Sequence, residues 1–362
     1  MAGATQHRLR WIAAPRARVA AAPVLAFLFA LGGCRSLIPS TPDATVLTDV
    51  RMILPDFDRL LARLISMDTP DALLTAAYMT SQEKFFANGS KDALDSEIES
   101  LFARALARAP DDPQLVAARL AYCLGPRKCD REAPSARLRQ VDPENALGYD
   151  ALVVAARGQG AALDRDAPEA DPERTTRELQ SMAGRERMDA YANPLRARVT
   201  RAVAAARNHE TPRVRDISDG AGLLAGQLLP VVPGAPSACR DRSVAADAER
   251  LLACRALIRL MLRSDSSLVQ AHAAGIARGL GELGGPEAAA ALEERRQAAW
   301  RASQVLSILR QRRSYGRFVR GEWRALLQHA GEAEAQRTVL RDFSISDRAP
   351  PGWEQPKPRS AR

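Results

Sequence analysis

The sequence predicts an all-α protein, and three observations carry that prediction. Aromatic residues make up only 5% of the 362 residues, whereas Ala, Leu and Arg, which favour helices, are abundant. No stretch of useful length alternates Val, Ile or Thr with polar residues, as a half-buried strand would. Proline also recurs at positions typical of helix starts, where its missing N–H costs nothing. These pairs are Asp112-Pro113, Asp142-Pro143, Asp171-Pro172 and Gly285-Pro286.

Helical periodicity and these start signals predict a long succession of helices. The predicted helices cover residues 56–67, 71–87, 91–108, 113–124, 144–157, 172–183, 186–208, 217–229, 242–263, 266–280, 286–314 and 322–342. We expect one helical region over 56–229 and a second over 242–345. Between them lies a proline-rich linker at 230–241, where three prolines within seven residues oppose a helix. The tail at 346–362 is expected to be extended and mobile, with Trp353 as a candidate to fix it onto the body.

The first residues have the three parts of a secretory signal. Four arginines and no acidic residue occur in residues 1–18, and an apolar run follows at 19–30. The run ends in Leu31-Gly32-Gly33-Cys34, whose small residues suit a cleavage point. Because a bilayer-spanning helix needs about 20 apolar residues, this run is too short to be one.

Leu31-Gly32-Gly33-Cys34 resembles the lipobox of bacterial lipoproteins, and the resemblance covers only the first 34 residues. It implies cleavage between Gly33 and Cys34, a diacylglycerol on the Cys34 thiol and a further acyl chain such as palmitate on its new amine. Two or three chains hold a protein stably at a membrane, whereas one does not. Residues 1–33 would then be a lipoprotein signal peptide and 34–55 the lipidated N-terminus and tether. The alternative is an ordinary signal peptide cut near a chance cysteine.

The lipobox resemblance also implies a location and limits the partners. Arg35 follows the cysteine where family members retained at the inner membrane typically have Asp, which favours the periplasmic leaflet of the outer membrane. Loss of the four signal arginines lowers the net charge from +9 to about +5. Since an exported protein meets no genomic DNA, we expect no nucleic-acid partner.

The remaining cysteines predict disulfides. Cys123, Cys129, Cys239 and Cys254 form an even number, which in an exported chain indicates two bridges with three possible pairings. Cys123 with Cys129, across a Gly-Pro turn, and Cys239 with Cys254 are the favoured pairs. No two cysteines have the spacing of a zinc site, so we expect no bound metal.

A partial repeat occurs in the first helical region. Pro110 and Pro143 each follow a helix end and lie 33 residues apart, and the segment 91–157 resembles tetratricopeptide units, whose period is 34. The resemblance implies stacked helix pairs with a face that binds extended peptides or partner helices. Leu106, Leu120 and Leu152 are the expected interior positions, and Arg119 and Arg157 the expected exposed charges. The alternative is an irregular helix bundle.

No motif of known chemistry is present. The sequence lacks a GxSxG elbow, a phosphate-binding loop and an HExxH helix, so we expect no enzyme, no cofactor and no small-molecule substrate. An arginine-rich stretch at 295–324 either forms a cationic face for anionic lipid or an acidic partner, or is a solvated helix face, which we favour. The sequence therefore predicts a lipid-anchored envelope scaffold or adaptor with protein partners. The alternatives are a periplasmic enzyme of unrecognised type and a purely structural envelope anchor.

Overall fold

The protein is all-α throughout the part of the chain that the structure, a computed structural model, describes. It describes residues 56–86, 91–124, 129–158, 169–213, 215–216, 219–220, 234–239, 242–264, 266–311 and 331–355. Within these ranges there is no strand, and one isolated parallel bridge joins Asn145 to Arg187. None of the described helices is both long enough and apolar enough to cross a bilayer.

The helices are numbered here in chain order. They are α1 (Phe57–Met67), α2 (Pro70–Phe86), α3 (Lys91–Arg108), α4 (Pro113–Leu124), α5 (Glu132–Val141), α6 (Leu147–Arg157), α7 (Pro172–Ala183), α8 (Ala192–Ala206), α9 (Gly234–Ala238), α10 (Ala248–Leu262), α11 (Ser267–Leu280), α12 (Gly285–Gln311) and α13 (Gly331–Asp342). Two short 3-10 helices, Arg242–Ala246 and Gly281–Gly284, precede α10 and α12.

Two of the Asp-Pro pairs, Asp112-Pro113 and Asp171-Pro172, start helices with the predicted bounds, whereas the helix predicted at 144–157 after Asp142-Pro143 begins at Leu147. The bounds of α3, α4 and α7 coincide with the predicted 91–108, 113–124 and 172–183. At α4 the carboxylate of Asp112 accepts hydrogen bonds from Gln114 N at 2.9 Å and Leu115 N at 3.3 Å. At α7 the carboxylate of Asp171 accepts one from Arg174 N at 2.8 Å. These bonds satisfy N–H groups that the first helical turn leaves without a partner.

Helix α5 was missed, because no helix was predicted between residues 124 and 144. Its ten residues contain little apolar periodicity, and Pro134 in the first turn resembles a loop signal. A proline there removes no helical hydrogen bond, since the first N–H groups have no intrahelical acceptor. Asp130 caps the helix by accepting a hydrogen bond from Glu132 N at 2.8 Å, and Leu138 is its buried anchor.

Helix α8 begins at Ala192 rather than at the predicted residue 186. The residues before it run beside the turn that precedes α6: Ala146 N donates to Arg187 O at 2.8 Å. The buried side chain of Asn145 donates to Asp189 O at 3.0 Å and accepts from Asp189 N at 3.1 Å. These tertiary bonds hold the segment extended, against its local preference for a helix.

Most helices pack against the next helix in the chain, and one folds back onto earlier helices. From α1 to α7 each helix contacts the next, and α10 to α13 do the same. Helix α8 instead folds back onto α1, α2 and α4. Its Arg198 bonds to Asp71 at the start of α2 and to Asp112 at the start of α4, both at 2.6 Å. One guanidinium thus joins the N-terminal ends of two helices, where carboxylates are favoured by the helix dipole.

The 33-residue interval between Pro110 and Pro143 contains the helix pair α4 and α5, and α6 and α7 follow it. After α7 the chain leaves this succession, because α8 packs on the first helices instead of on α7. The described residues therefore establish neighbouring helix pairs, and the tetratricopeptide resemblance stays a prediction.

The interior positions expected in this region are buried to different degrees. Leu120 is inaccessible, and Leu106 and Leu152 are partly buried. Arg157, which was expected to be an exposed charge, is only 1% exposed, so that expectation is wrong. It lies at the end of α6 and forms an ion pair with the buried Glu169. A buried arginine is tolerated when a carboxylate pairs with it.

The predicted linker at 230–241 contains the buried helix α9, so the expectation that its prolines exclude a helix is wrong for Gly234–Ala238. Pro236 lies in the first turn, where its missing N–H costs no helical bond. The N–H groups of Gly234 and Ala235 donate to the two carboxylate oxygens of the buried Asp150 in α6, at 3.0 and 2.9 Å. This helix is packed into the core between α6 and α11.

The described part of the tail, residues 346–355, packs along α12, and its mobility stays a prediction. Trp353 contacts Trp300 of α12 edge to face, with ring centroids 5.4 Å apart, as the sequence suggested. The Trp300 indole N–H donates to Ser346 O at 3.0 Å. We call residues 343–355 the C-terminal strap.

Candidate functional site

The predicted lipidation and cleavage residues, Gly33 and Cys34, lie outside the described residues. The other four predicted cysteines form the two favoured pairs. The Sγ atoms of Cys123 and Cys129 are 2.08 Å apart, and those of Cys239 and Cys254 are 2.02 Å apart. Their Cα separations of 5.4 and 5.6 Å are usual for disulfides.

Glu99 lies beside the first disulfide, with Oε1 3.7 Å from Cys123 Sγ. These two residues and Cys129 bring three potential metal-ligand atoms within 4.8 Å of one another. Paired sulfurs are not thiolates, however, and thiolates are what bind a metal. Glu99 also forms an ion pair with Arg119 at 2.9 Å. In the oxidised chain this cluster is therefore a structural one.

A second polar cluster follows α8. Arg207 donates to Asp56, just before α1, and to Asp216, with N–O distances of 3.0 and 2.9 Å. His209 Nδ1 lies 2.8 Å from Asp216. Burial alone would raise the pKa of the Asp216 carboxyl, but hydrogen bonds from Arg207, from the Arg213 N–H and from His209 hold it below the usual value. The bonds of this cluster join the chain before α1 to the end of α8.

A cavity of about 260 Å³ lies between α11, α12 and α13, and the end of the strap closes one side. Helix α12 has 27 residues and is about 40 Å long. Its first part contributes Ala288 and Ala291 to the main core, which extends back to α1. Its last part contributes Val305 and Ile308 to a smaller apolar cluster with α13. The cavity lies between these two clusters, where the middle of α12 belongs to neither.

The exposed surface of the cavity wall is mostly apolar, although nine of its fifteen lining residues are polar or charged. The apolar part consists of small side chains and one leucine: Ala271, Ala298, Ala299, Ala302, Leu306 and Ala333. The polar part includes Ser267, Gln270, Glu294, Arg295, Arg301, Glu332 and Gln336. An apolar pocket with a small number of fixed polar groups is the usual form of a small-molecule site.

Glu332, at the start of α13, is the buried acid of this cavity and is 7% exposed. Burial raises the pKa of its carboxyl above the usual value, and the hydrogen bond from Ser267 Oγ and the charges of three arginines oppose that rise. Those arginines are Arg196, Arg295 and Arg301. Gln336 Nε2 adds a long bond of 3.4 Å to the other carboxylate oxygen. Oε1 of Glu332 therefore keeps acceptor capacity.

Arg301 is the buried cation of the cavity and its side chain is 5% exposed. Its Nη2 donates to Glu294 Oε1 at 2.6 Å. Its Nε–H is buried, and no described residue accepts a hydrogen bond from it. Leaving such a donor without an acceptor costs about 1–3 kcal/mol.

Sequence analysis identified two of the charged cavity residues but favoured the wrong environment for one of them. Arg295 and Arg301 belong to the arginine-rich stretch that we interpreted as a solvated helix face, and Arg301 is buried. Glu332 was missed, as were the α11 residues, because nothing in one sequence indicates that α11 and α13 meet on the same side of α12. Residues 312–324 of the stretch lie outside the described part of the chain.

Comparison with known proteins yields no relative. The chain matches no protein-family model, no curated protein and no solved structure.

Proposed function

We propose that this chain is a lipid-anchored protein of the cell envelope that faces the periplasm and acts as a non-catalytic scaffold or adaptor for a protein partner. The observation that carries the proposal is the succession of helices from α1 to α7, each packed on the next. Such arrays expose a long surface made from several helices, and that surface binds peptides or helices without chemistry.

The anchoring part of the proposal rests on the N-terminal sequence. A basic segment, a short apolar core and Leu31-Gly32-Gly33-Cys34 resemble a lipoprotein signal, and the acylated Cys34 would hold the chain at the outer membrane. The two disulfides support export, because such bonds persist in the periplasm and are rare in the cytosol.

Replacement of Cys34 tests the anchor. Cells are labelled with radioactive palmitate, and the protein is recovered through a C-terminal tag. We expect label in the wild type and none in Cys34→Ala, because the thiol is the proposed acceptor of the first lipid. Arg35→Asp is the matched control: it keeps the thiol, should keep the label, and should shift the protein towards the inner membrane. Equal labelling of wild type and Cys34→Ala would overturn the proposal of a lipid anchor.

Photo-crosslinking in intact cells tests the scaffold. Ala103 and Ala107 are exposed positions on α3, and Ala289 is an exposed position on α12 outside the array. A photoreactive residue at either α3 position should give a discrete adduct with an envelope protein, whereas the same residue at Ala289 should not. If adducts form only from the tether and the C-terminal strap, the purely structural anchor replaces the scaffold.

A further inference from the structure

We propose that the cavity between α11, α12 and α13 binds a free α-amino acid with an apolar side chain, whose carboxylate is held by Arg301 and whose ammonium is held by Glu332. The site is independent of the scaffold surface, since it lies in the C-terminal region. The ligand class follows from the charges, the size and the lining of the cavity.

The two charged groups that define the site do not form an ion pair with each other. Arg301 pairs with Glu294, and Glu332 accepts hydrogen bonds from Ser267 and Gln336. Both side chains nevertheless line the same cavity of about 260 Å³. A buried guanidinium and a buried carboxyl at one cavity suit a ligand that carries both opposite charges.

Arg301 and Glu332 also have hydrogen-bonding groups without a close partner, which suits a ligand with both charges. The guanidinium of Arg301 has five N–H donors, and its buried Nε–H has no acceptor among the described residues. A carboxylate is the planar acceptor that fits a guanidinium best. Because the Nε atom is covered, a ligand reaches it only after a small shift of the side chain. Oε1 of Glu332 receives only the long bond from Gln336 and can accept a shorter bond from an ammonium group.

Size and lining restrict the rest of the ligand. The volume of about 260 Å³ is below the range of about 300–1,000 Å³ that is typical of drug-sized ligands. The space away from the two charges is bounded by alanines of α12 and by Leu306. A small molecule with a short apolar group fits this surface, whereas a further charge on the ligand would lose its hydration against it.

Calorimetric titration of the purified full chain tests the proposal with L-leucine, L-valine, L-aspartate and L-lysine. We expect saturable binding of leucine or valine, and binding at least about ten-fold weaker for aspartate and lysine. Propionate and propylamine each carry one of the two charges and should also bind at least about ten-fold more weakly than the amino acid. Failure of both apolar amino acids to bind would overturn the proposal, and so would propionate binding as tightly as they do.

Variants connect binding to the site. Arg301→Gln and Glu332→Gln should each lose the binding by about ten-fold or more. Because a buried charge is altered in both, Ala299→Leu is a second type of variant, which keeps every charge and fills the cavity. Ala289→Leu is its matched control, the same change on the same helix at an exposed position. Binding that is lost in Ala299→Leu and kept in Ala289→Leu supports the site; binding that is kept in both overturns it.

Discussion

Replacing Gly234 with alanine tests how the buried helix α9 is held. A Cβ at this position would lie 2.7 Å from the backbone oxygen of Asp150, 2.9 Å from its Oδ1 and 3.1 Å from Val153 Cβ. The closest of these atoms is backbone within α6, which cannot rotate away as a side chain does. Helix α9 must therefore move by several tenths of an ångström.

The cost of this movement follows from the bonds that it stretches. Gly234 N and Ala235 N donate to the Asp150 carboxylate at 3.0 and 2.9 Å, and this buried carboxylate has no solvent to replace them. Overpacking costs about 1–3 kcal/mol and hydrogen bonds to a charged group contribute about 1.5–3 kcal/mol each. Because the bonds lengthen but do not all break, we expect Gly234→Ala to lower the free energy of unfolding by about 3 kcal/mol.

Urea denaturation followed by circular dichroism, with the disulfides intact, measures this loss. Gly184→Ala is the matched control. Its φ of −78° is ordinary for alanine, and the new Cβ would lie no closer than 3.4 Å to Gln180 O. We expect the control to change the stability by no more than about 0.5 kcal/mol. If the two variants are equally stable, the contact between α9 and α6 does not hold the linker in place.

Three further perturbations have expected outcomes. Burial raises the pKa of Asp150 from 3.8 to about 6, so the folded chain binds this proton more tightly than the unfolded one. The protonated carboxyl contributes stability that is fully present below about pH 4 and is lost as the pH rises through about 6. Denaturation should show the free energy of unfolding of the wild type falling by about 3 kcal/mol relative to that of Asp150→Asn over this pH range. Parallel dependence of the two free energies on pH would contradict this. Arg198→Ala should lower the free energy of unfolding by about 2 kcal/mol in the same assay, because it leaves two carboxylates without their shared cation. Replacement of the exposed Arg201 by alanine should lower it by less than about 0.5 kcal/mol. Joint replacement of Cys239 and Cys254 by serine should cost about 3 kcal/mol by opening a 15-residue loop, and no loss would show that the reduced chain is already constrained.

The sequence predicted those parts of the fold that depend on local chemistry. Asp112-Pro113 and Asp171-Pro172 each combine a capping carboxylate with a proline of fixed φ, and the helices that they start have the predicted bounds. The pairing of Cys123 with Cys129 was predictable for the same reason, since a short turn brings the two ends together. In each case the residues that decide the structure lie within a few positions of one another.

The parts that depend on distant residues were not predictable. The extended segment before α8 is held by Asn145, more than 40 residues earlier in the chain. Arg157 was expected at the surface, and Glu169 makes its burial possible by pairing with it. Helix α9 exists where prolines suggested a linker, because a carboxylate from α6 satisfies its first N–H groups. At these sites a hydrogen bond or ion pair with a distant residue outweighs the local conformational preference of the chain.

The candidate site could not be derived from the sequence for the same reason. Arg301 and Glu332 are 31 positions apart, and most of that interval lies outside the described residues. An arginine seven residues after Glu294 on one helix is indistinguishable in sequence from a solvated ion pair. Arg301 differs from such a residue because α12 is long and packs on the main core at one end and on α13 at the other. Between the two contacts, α12 presents alanines and the buried Arg301 to a cavity that the buried Glu332 of α13 also lines, and that arrangement is the physical basis for the proposed ligand.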